Sequence, residues 1–326
     1  MRTLLSLLVV LGFSIPGYSD LVDRPDGHAP IGVMGEHGHK KGELMVSVRA
    51  MYMSMKDMLD GTDTVNAEDV FDSTSFMMAP EKMDMWMYML GGMYGITDKW
   101  TVMVMLPYVT TDMTVARDMQ NDTIQTESSG IGDVSVSGLY TITETDSVRM
   151  LVTLGAFLPT GALDFDRNGT RLGYPMQIGS GSYALQPGFV YSVYGDSYSV
   201  GSQVQVKNYL NDNSEDYRRG TEYLLNVWGS YSWCENFSNS LRLSYKAVDP
   251  MDGADDEINS MMAPTNRTDY QHGNTAMLHV GGNWLGTEFA KGHRIGLEIG
   301  MPIYQDLSGP QMKTGLVGTL GWQKAF

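Results

Sequence analysis

The chain has 326 residues, 22 Lys and Arg against 38 Asp and Glu, a formal charge of −16, 37 Gly, 26 Met and one Cys. The acidic excess excludes nucleic acid as a partner, because phosphate binding needs a basic footprint, and the lone Cys234 excludes an internal disulfide or a thiolate metal cluster. Beyond the first twenty residues no apolar run approaches the roughly 20 residues a membrane-crossing helix requires, so a helical membrane protein is excluded as well.

Chain order begins with Met1-Arg2, an apolar run from Thr3 to Ile15, and Pro16-Gly17-Tyr18-Ser19 with small residues where a signal peptidase reads. Residues 1–19 are expected to be a cleaved signal peptide, with the mature chain starting at Asp20 outside the cytoplasm. Residues 20–42 form a polar segment bearing His28, Met34, Glu36, His37 and His39, placed on the periplasmic side. Such a segment is either a solvated extended stretch or a mixed donor set for copper.

From residue 43 onward the period is two. Twelve stretches alternate apolar and polar residues, near 43–56, 83–96, 99–113, 131–143, 147–159, 183–194, 197–210, 221–234, 236–248, 275–287, 292–304 and 313–326. Short polar turns at Thr97-Asp98, Glu144-Asp146, Gly195-Asp196, Glu235 and Ala290-Lys291 alternate with longer segments near 57–82, 114–130, 160–182, 211–220, 249–274 and 305–312. Tight turns on one side and long loops on the other predict an all-β chain folded as a closed antiparallel transmembrane β-barrel of about twelve strands over residues 43–326, both ends periplasmic.

The faces follow from the alternation. Ile295, Leu297, Ile299, Met301 and Ile303 share one side against Arg294, Gly296, Glu298 and Gly300, and Phe237, Leu241, Leu243, Tyr245 and Ala247 oppose Ser238, Ser240, Arg242, Ser244 and Lys246. The apolar sets are assigned to lipid, and Arg49, Arg242, Lys246, Arg294 and Glu298 to the lumen. Tyr198, Tyr223, Tyr231, Trp233 and Trp100 sit near strand ends, where an interfacial aromatic girdle belongs. The last strand carries Leu316, Leu320 and Trp322 on one face and ends at Phe326, as outer-membrane barrels do, with Lys324 out of pattern.

His28–Gly35 (HAPIGVMG), Thr126–Asp133 (TESSGIGD), Leu158–Gly161 (LPTG), Tyr174–Gly181 (YPMQIGSG) and Pro302–Gln311 (PIYQDLSGPQ) resemble the outer-membrane transporter family labelled "meta-pathway of phenol degradation". The resemblance covers most of the mature chain. It implies a barrel in the outer membrane of a Gram-negative bacterium and says little about cargo.

Seventeen of the 26 methionines fall between Met34 and Met119. In the first strand Met45, Met51, Met53 and Met55 share the side of Arg49, which cannot readily face lipid. In the second, Met83, Met85, Met87, Met89 and Met93 oppose Trp86, Tyr88, Leu90 and Tyr94; in the third, Met103 and Met105 oppose Trp100, Val102, Val104, Leu106 and Tyr108. Three neighbouring strands are therefore expected to line one wall of the lumen with thioethers. Soft sulfur selects Cu(I) or Ag(I), making these ions the first candidate cargo, with Met45, Met51, Met53, Met55, Met83, Met85, Met87, Met89, Met103, Met105, His28, Met34, His37 and His39 as donors. The alternatives are a greasy passage for small hydrophobic or aromatic solutes and a barrel that is structural or merely binds. No resident cofactor is implied, and the expected partners are outer-membrane lipid and a small solute or ion. The acidic outer loops, with Asp57, Asp60, Asp63, Glu68, Asp69 and Asp72 in one and Asp252, Asp255, Asp256 and Glu257 in another, either concentrate cations at the mouth or are solvated loops that bridge to anionic lipid headgroups through divalent ions. No Gly-x-Ser-x-Gly elbow, His-Glu-x-x-His pair or phosphate loop points to an enzyme.

Overall fold

The structure is a computed structural model that describes residue 21, residues 24–119 and residues 122–326; the expected signal peptide lies outside the described residues. In chain order the elements are β1 (Leu44–Gly61), β2 (Asp63–Val65), α1 (Ala67–Ser73), β3 (Met78–Gly95), β4 (Trp100–Arg117), β5 (Asp122–Ile131), β6 (Val134–Glu144), β7 (Val148–Leu158), β8 (Asp166–Arg167), β9 (Thr170–Arg171), β10 (Ala184–Tyr194), β11 (Tyr198–Tyr209), β12 (Tyr217–Arg218), β13 (Glu222–Cys234), β14 (Phe237–Val248), β15 (Asp252–Gly253), β16 (Gly273–Leu285) and β17 (His293–Ala325).

Eleven of these elements close a ring in the order β1, β3, β4, β6, β7, β10, β11, β13, β14, β16, β17 and back to β1, with β2 and β5 off it. Neighbours are antiparallel throughout, and alternating direction around a closed ring requires an even number of staves. β17 resolves the parity, because it is a hairpin of two arms. Its first arm pairs with β16 from Arg294↔Leu285 to Leu307↔Gly273, and its second pairs with β1 from Ala325↔Met45 to Thr314↔Met55. The chain reverses near Gly309, whose φ of +70° suits glycine. Arg294 Nη1 donates to Gln323 Oε1 at 2.8 Å, and Gln305 Nε2 to the Thr314 carbonyl at 3.0 Å, across the two arms. Counted as staves, the barrel has twelve.

Three stretches expected as loops are instead ladder. Residues 57–61 and 78–82 extend β1 and β3, and residues 114–117 pair with Asp122–Gln125 in β4 and β5. Of residues 305–312 only 308–310 form the turn of the β17 hairpin; 305–307 pair with β16 and 311–312 with β1. In the extensions of β1, β3 and β4, Met58, Ala79 and Ala116 are buried against Ala67, Val70 and Phe76 around α1, so they lack the outward apolar row that marks a spanning strand. Between β1 and β3 the helix α1 is closed by a capping box: Asn66 accepts from the Asp69 N–H and Asp69 from the Asn66 N–H, each at 2.9 Å.

The apolar residues point outward. Leu90, Tyr94, Val104, Leu106, Leu241, Leu243, Leu297, Ile299 and Leu320 are all exposed, while Arg49, Arg149, Arg242, Arg294, Glu298, Gln203 and Asn226 are buried inside. A soluble protein would invert this distribution; a barrel in lipid requires it. Phe326 closes the seam by donating its N–H to the Leu44 carbonyl at 2.8 Å. Lys324, out of pattern in sequence, reaches past the end of the ladder and donates to the Lys291 carbonyl at 2.7 Å, its charge held at the rim.

One joint in the wall is irregular. β4 pairs with β6 through Met105↔Ser135 and with β5 from Tyr108↔Ile131 onward, so on this side Leu106 and Pro107, which pair with Leu90 and Met89 of β3 on the other, meet only the Gly132 N–H, donated to the Pro107 carbonyl at 2.9 Å, where β5 gives way to β6. Proline supplies no N–H there, which is why the ladder breaks at this place.

Candidate functional site

The segment preceding β1 does not hang below the barrel as a solvated tail: it enters the lumen and plugs its periplasmic half. Ala29, Ile31 and Val33 are buried, as are His28, Glu36, His37 and His39. Lumenal side chains from many staves tie it down. Arg149 Nη1 donates to the Gly27 carbonyl at 2.8 Å, Ser199 Oγ to the Asp26 carbonyl at 2.7 Å, Ser238 Oγ to the Pro25 carbonyl at 2.9 Å and Gln203 Nε2 to the Met34 carbonyl at 2.7 Å. Arg294 donates to the Ala29 carbonyl. Close approach explains Gly32 in the plug and Gly296 and Gly321 in the wall. A Cβ on Gly32 would lie 2.5 Å from Arg242 Nη2, and Cβ atoms on Gly296 and Gly321 would each lie 2.7 Å from Ile31.

Inside the plug the His and Glu side chains form one knot. His37 Nδ1 lies 2.8 Å and His28 Nδ1 3.3 Å from the same Glu36 oxygen, Oε1, while Arg149 Nη1 donates to Oε2 at 3.4 Å. The rings of His28 and His37 are 4.6 Å apart and those of His37 and His39 5.0 Å, both edge to face. Burial, with the Arg294 guanidinium nearby, pushes the His28 imidazole down to about 3. Burial opposes ionisation of Glu36, but His37 and the hydrogen bonds from both imidazoles outweigh it and hold the carboxyl well below its usual range.

Above the plug stands the methionine wall. Directly opposed pairs run up the β1–β3 ladder as Met45↔Met93, Met51↔Met87, Met53↔Met85 and Met55↔Met83, and continue into β4 as Met93↔Met103 and Met83↔Met113. All sit on the face shared with buried Arg49, as the alternation predicts. They do not form one uniform surface. Met45, Met93 and Met103 pack onto Ala29 and Val33 of the plug. Met83 and Met113 form a second cluster with Val115, Leu172 and Met176, against which Met55, Met85 and Met312 pack. The wall also lines two cavities. The inner one, about 290 Å³, is bounded by Met34 of the plug, Met87, Met89, Met103 and Met105, with Ser and Gln side chains and the charged Asp133, Lys207, Arg219 and Glu222 on the rest of its lining. The outer one, about 440 Å³, is bounded by Met53, Met55, Met83, Met85 and Met87. Met87, Val109, Ile178 and Arg219 belong to both, so the two spaces adjoin.

The polar residues assigned to the lumen divide by height. Arg242 pairs with Glu298 and donates from Nη1 to Asn226 at 2.7 Å, and His279 lies 3.2 Å from Glu298, so this group braces the wall opposite the methionines. Arg294 serves the plug. Lys246 is exposed at the outer mouth, paired to Glu222 at 2.7 Å.

Sequence reasoning missed the outer closure. Three of the short motifs meet at Asp133, beside the break in the wall. Its carboxylate accepts from the Gly161 N–H at 3.1 Å and the Ser180 N–H at 2.9 Å, and Thr160 Oγ donates to the Gly132 carbonyl at 2.8 Å. Gly161 and Gly179 touch backbone to backbone, leaving no room for a side chain on either. This junction folds the 174–181 segment into the lumen, buries Met176 and sets Ile178 between the two cavities. Further out, Arg171 joins Glu215, Asp255 and Glu257, so part of the acidic charge is neutralised by contacts between loops.

Residues 59–257 match the family described as "Putative MetA-pathway of phenol degradation". No curated protein matches the chain. Among solved structures, the COG4313 outer membrane channel from Pseudomonas putida F1 is similar at 14% identity and a TM-score of 0.62, over 90% of this chain and 99% of that one. The transport unit of the autotransporter AIDA-I from Escherichia coli is similar at 11% identity and a TM-score of 0.51, over 90% and 93%. At these identities the likeness is one of fold, that of Gram-negative outer-membrane barrels.

Proposed function

The chain belongs to the family of the MetA pathway of phenol degradation, and from that premise we propose that it is an outer-membrane channel for small hydrophobic compounds, aromatic ones included. The observation that carries this reading is the pair of adjoining cavities on the methionine wall. Each exceeds the roughly 150 Å³ in which an apolar cavity holds benzene. Unbranched thioether side chains yield to solutes of different shape and contact ring edges favourably. A small aromatic that buries on the order of 100 Å² there gains about 2.5 kcal/mol, at ~25 cal/mol per Å², enough to enter and little enough to leave again.

The outer-membrane location, the family name and the channel named among the similar structures all support this reading over an enzymatic one. The supporting test is uptake of labelled phenol or toluene by cells with and without the protein. Faster uptake with the protein, kept in Met87→Leu and lost in Met87→Arg, is expected; equal uptake in cells lacking it overturns the proposal.

A second reading rests on the register. Opposed methionines such as Met51↔Met87 and Met53↔Met85 stand as near cross-strand neighbours, so two sulfurs can meet one Cu(I) or Ag(I) ion. Leu for Met at residues 51, 53, 85 and 87 keeps the volume and removes the sulfur. Ag(I) binding abolished by that variant favours a soft-metal cargo, and unaltered binding rejects it.

A further inference from the structure

We propose that the plug holds a borderline divalent transition-metal ion, Cu²⁺ ahead of Zn²⁺, with His28, Glu36 and His37 as ligands and His39 beside them. The site adjoins the foot of the methionine wall, and its test does not depend on the channel reading.

Three observations carry it. First, each of the three residues offers a donor atom, and these atoms all lie within 4.8 Å of one another in a buried knot. An ion with bonds of about 2.1 Å holds its donors roughly 3–4 Å apart, so closure draws the widest pair together by about 1–2 Å. Second, the knot holds more donors than the protein satisfies. His37 Nε2 and His39 Nε2 are buried without a hydrogen-bond partner, although the two residues are only 3% and 5% exposed. An unsatisfied buried nitrogen is costly, and an ion taken up on the Nε2 side of His37, with His39 Nε2 beside it, would relieve that cost, the Nδ1 atoms of His28 and His37 being already turned to Glu36 Oε1. Third, the surroundings fix the ligands. Arg149 engages Glu36 Oε2, which leaves Oε1 facing both imidazoles. Beside Glu36 and His37 the lining passes directly to Met45, Met93, Met103 and Met105, with the Arg49 side chain among them.

The donor set selects the metal. Two imidazoles and one carboxylate favour a borderline ion over Mg²⁺ or Ca²⁺, and among divalent first-row ions Cu²⁺ binds such sites most tightly. Bound there, the ion would join residue 28 to residues 36 and 37 and close the plug into a loop.

The test uses the full chain purified in detergent, stripped with chelator and titrated with copper sulfate, with electron paramagnetic resonance as the readout. The expected result is one Cu²⁺ per barrel with splitting from imidazole nitrogens. His28→Gln and His37→Gln should each weaken binding roughly a hundredfold or more, since even outer-shell partners of a ligand are worth 10–100-fold, while His293→Gln at the periplasmic rim leaves it unchanged. Heat-modifiable gel mobility shows that the variants keep the barrel. Should a variant fail to fold, the wild-type spectrum still decides: no stoichiometric ion, or an ion without imidazole nitrogen, overturns the proposal, as does undiminished binding in the folded variants.

Discussion

At the scale of single residues, volume and polarity can be separated on the methionine wall. Met87 bounds both cavities, so Met87→Leu should leave passage of an aromatic solute within about twofold, because the swap conserves volume and costs under about 1.5 kcal/mol in packing. Solute flux into proteoliposomes checks this. Asp133 makes a different point. Its carboxylate holds two N–H groups of the segments that close the lumen from outside, and each hydrogen bond to a charged group is worth about 1.5–3 kcal/mol. Asp133→Ala is therefore expected to release the 174–181 segment, seen as faster proteolysis near Ile178 in an otherwise intact barrel. Unchanged cleavage would show that the Gly161–Gly179 contact suffices alone. The wall methionines were legible because a lumenal face is fixed by one charged neighbour, Arg49. Asp133 was not, because its partners lie 28 and 47 residues away and no local pattern announces them.

At the scale of elements, spanning strands declare themselves by an alternation that lipid on one face and a polar lumen on the other impose. The outer extensions of β1, β3 and β4 read as loops because neither face is buried in lipid there. The plug is the largest element that sequence alone misplaces. Its residues are polar and its motif short, and what buries it are groups such as Arg149 and Arg294, 122 and 265 residues from their partners in it. Arg149 also bonds Glu36, Tyr194 and Glu144, so Arg149→Met strands buried acceptors on both sides and should loosen the plug by about 3–5 kcal/mol, the cost of breaking a buried charged pair. Protease access to residues 24–42 in intact barrels measures it. On the opposite face, Leu243→Arg at the middle of β14 places a charge toward acyl chains and should lower barrel stability in lipid by about 2–4 kcal/mol, with urea unfolding from vesicles as the readout.

At the scale of the whole molecule, a barrel of twelve staves is narrow enough for side chains and an inserted segment to fill much of it, and here they do so unevenly. Arg242, Glu298 and Asn226 fill one side with a braced polar network, the plug occupies the periplasmic half, and the two adjoining cavities lie beside the flexible, apolar methionines. Removal of residues 24–42 is expected to raise single-channel conductance in planar bilayers, since the plug bonds to staves all round the lumen. The most direct test of the central claim, that the methionine wall is where solute resides, is a crystal soaked with bromobenzene and measured at the bromine absorption edge. Anomalous density between Met87, Met105 and Ile178 is the predicted result. Bromine found only against the outward-facing Trp86, Tyr88 and Leu90, with nothing inside the wall, would contradict it.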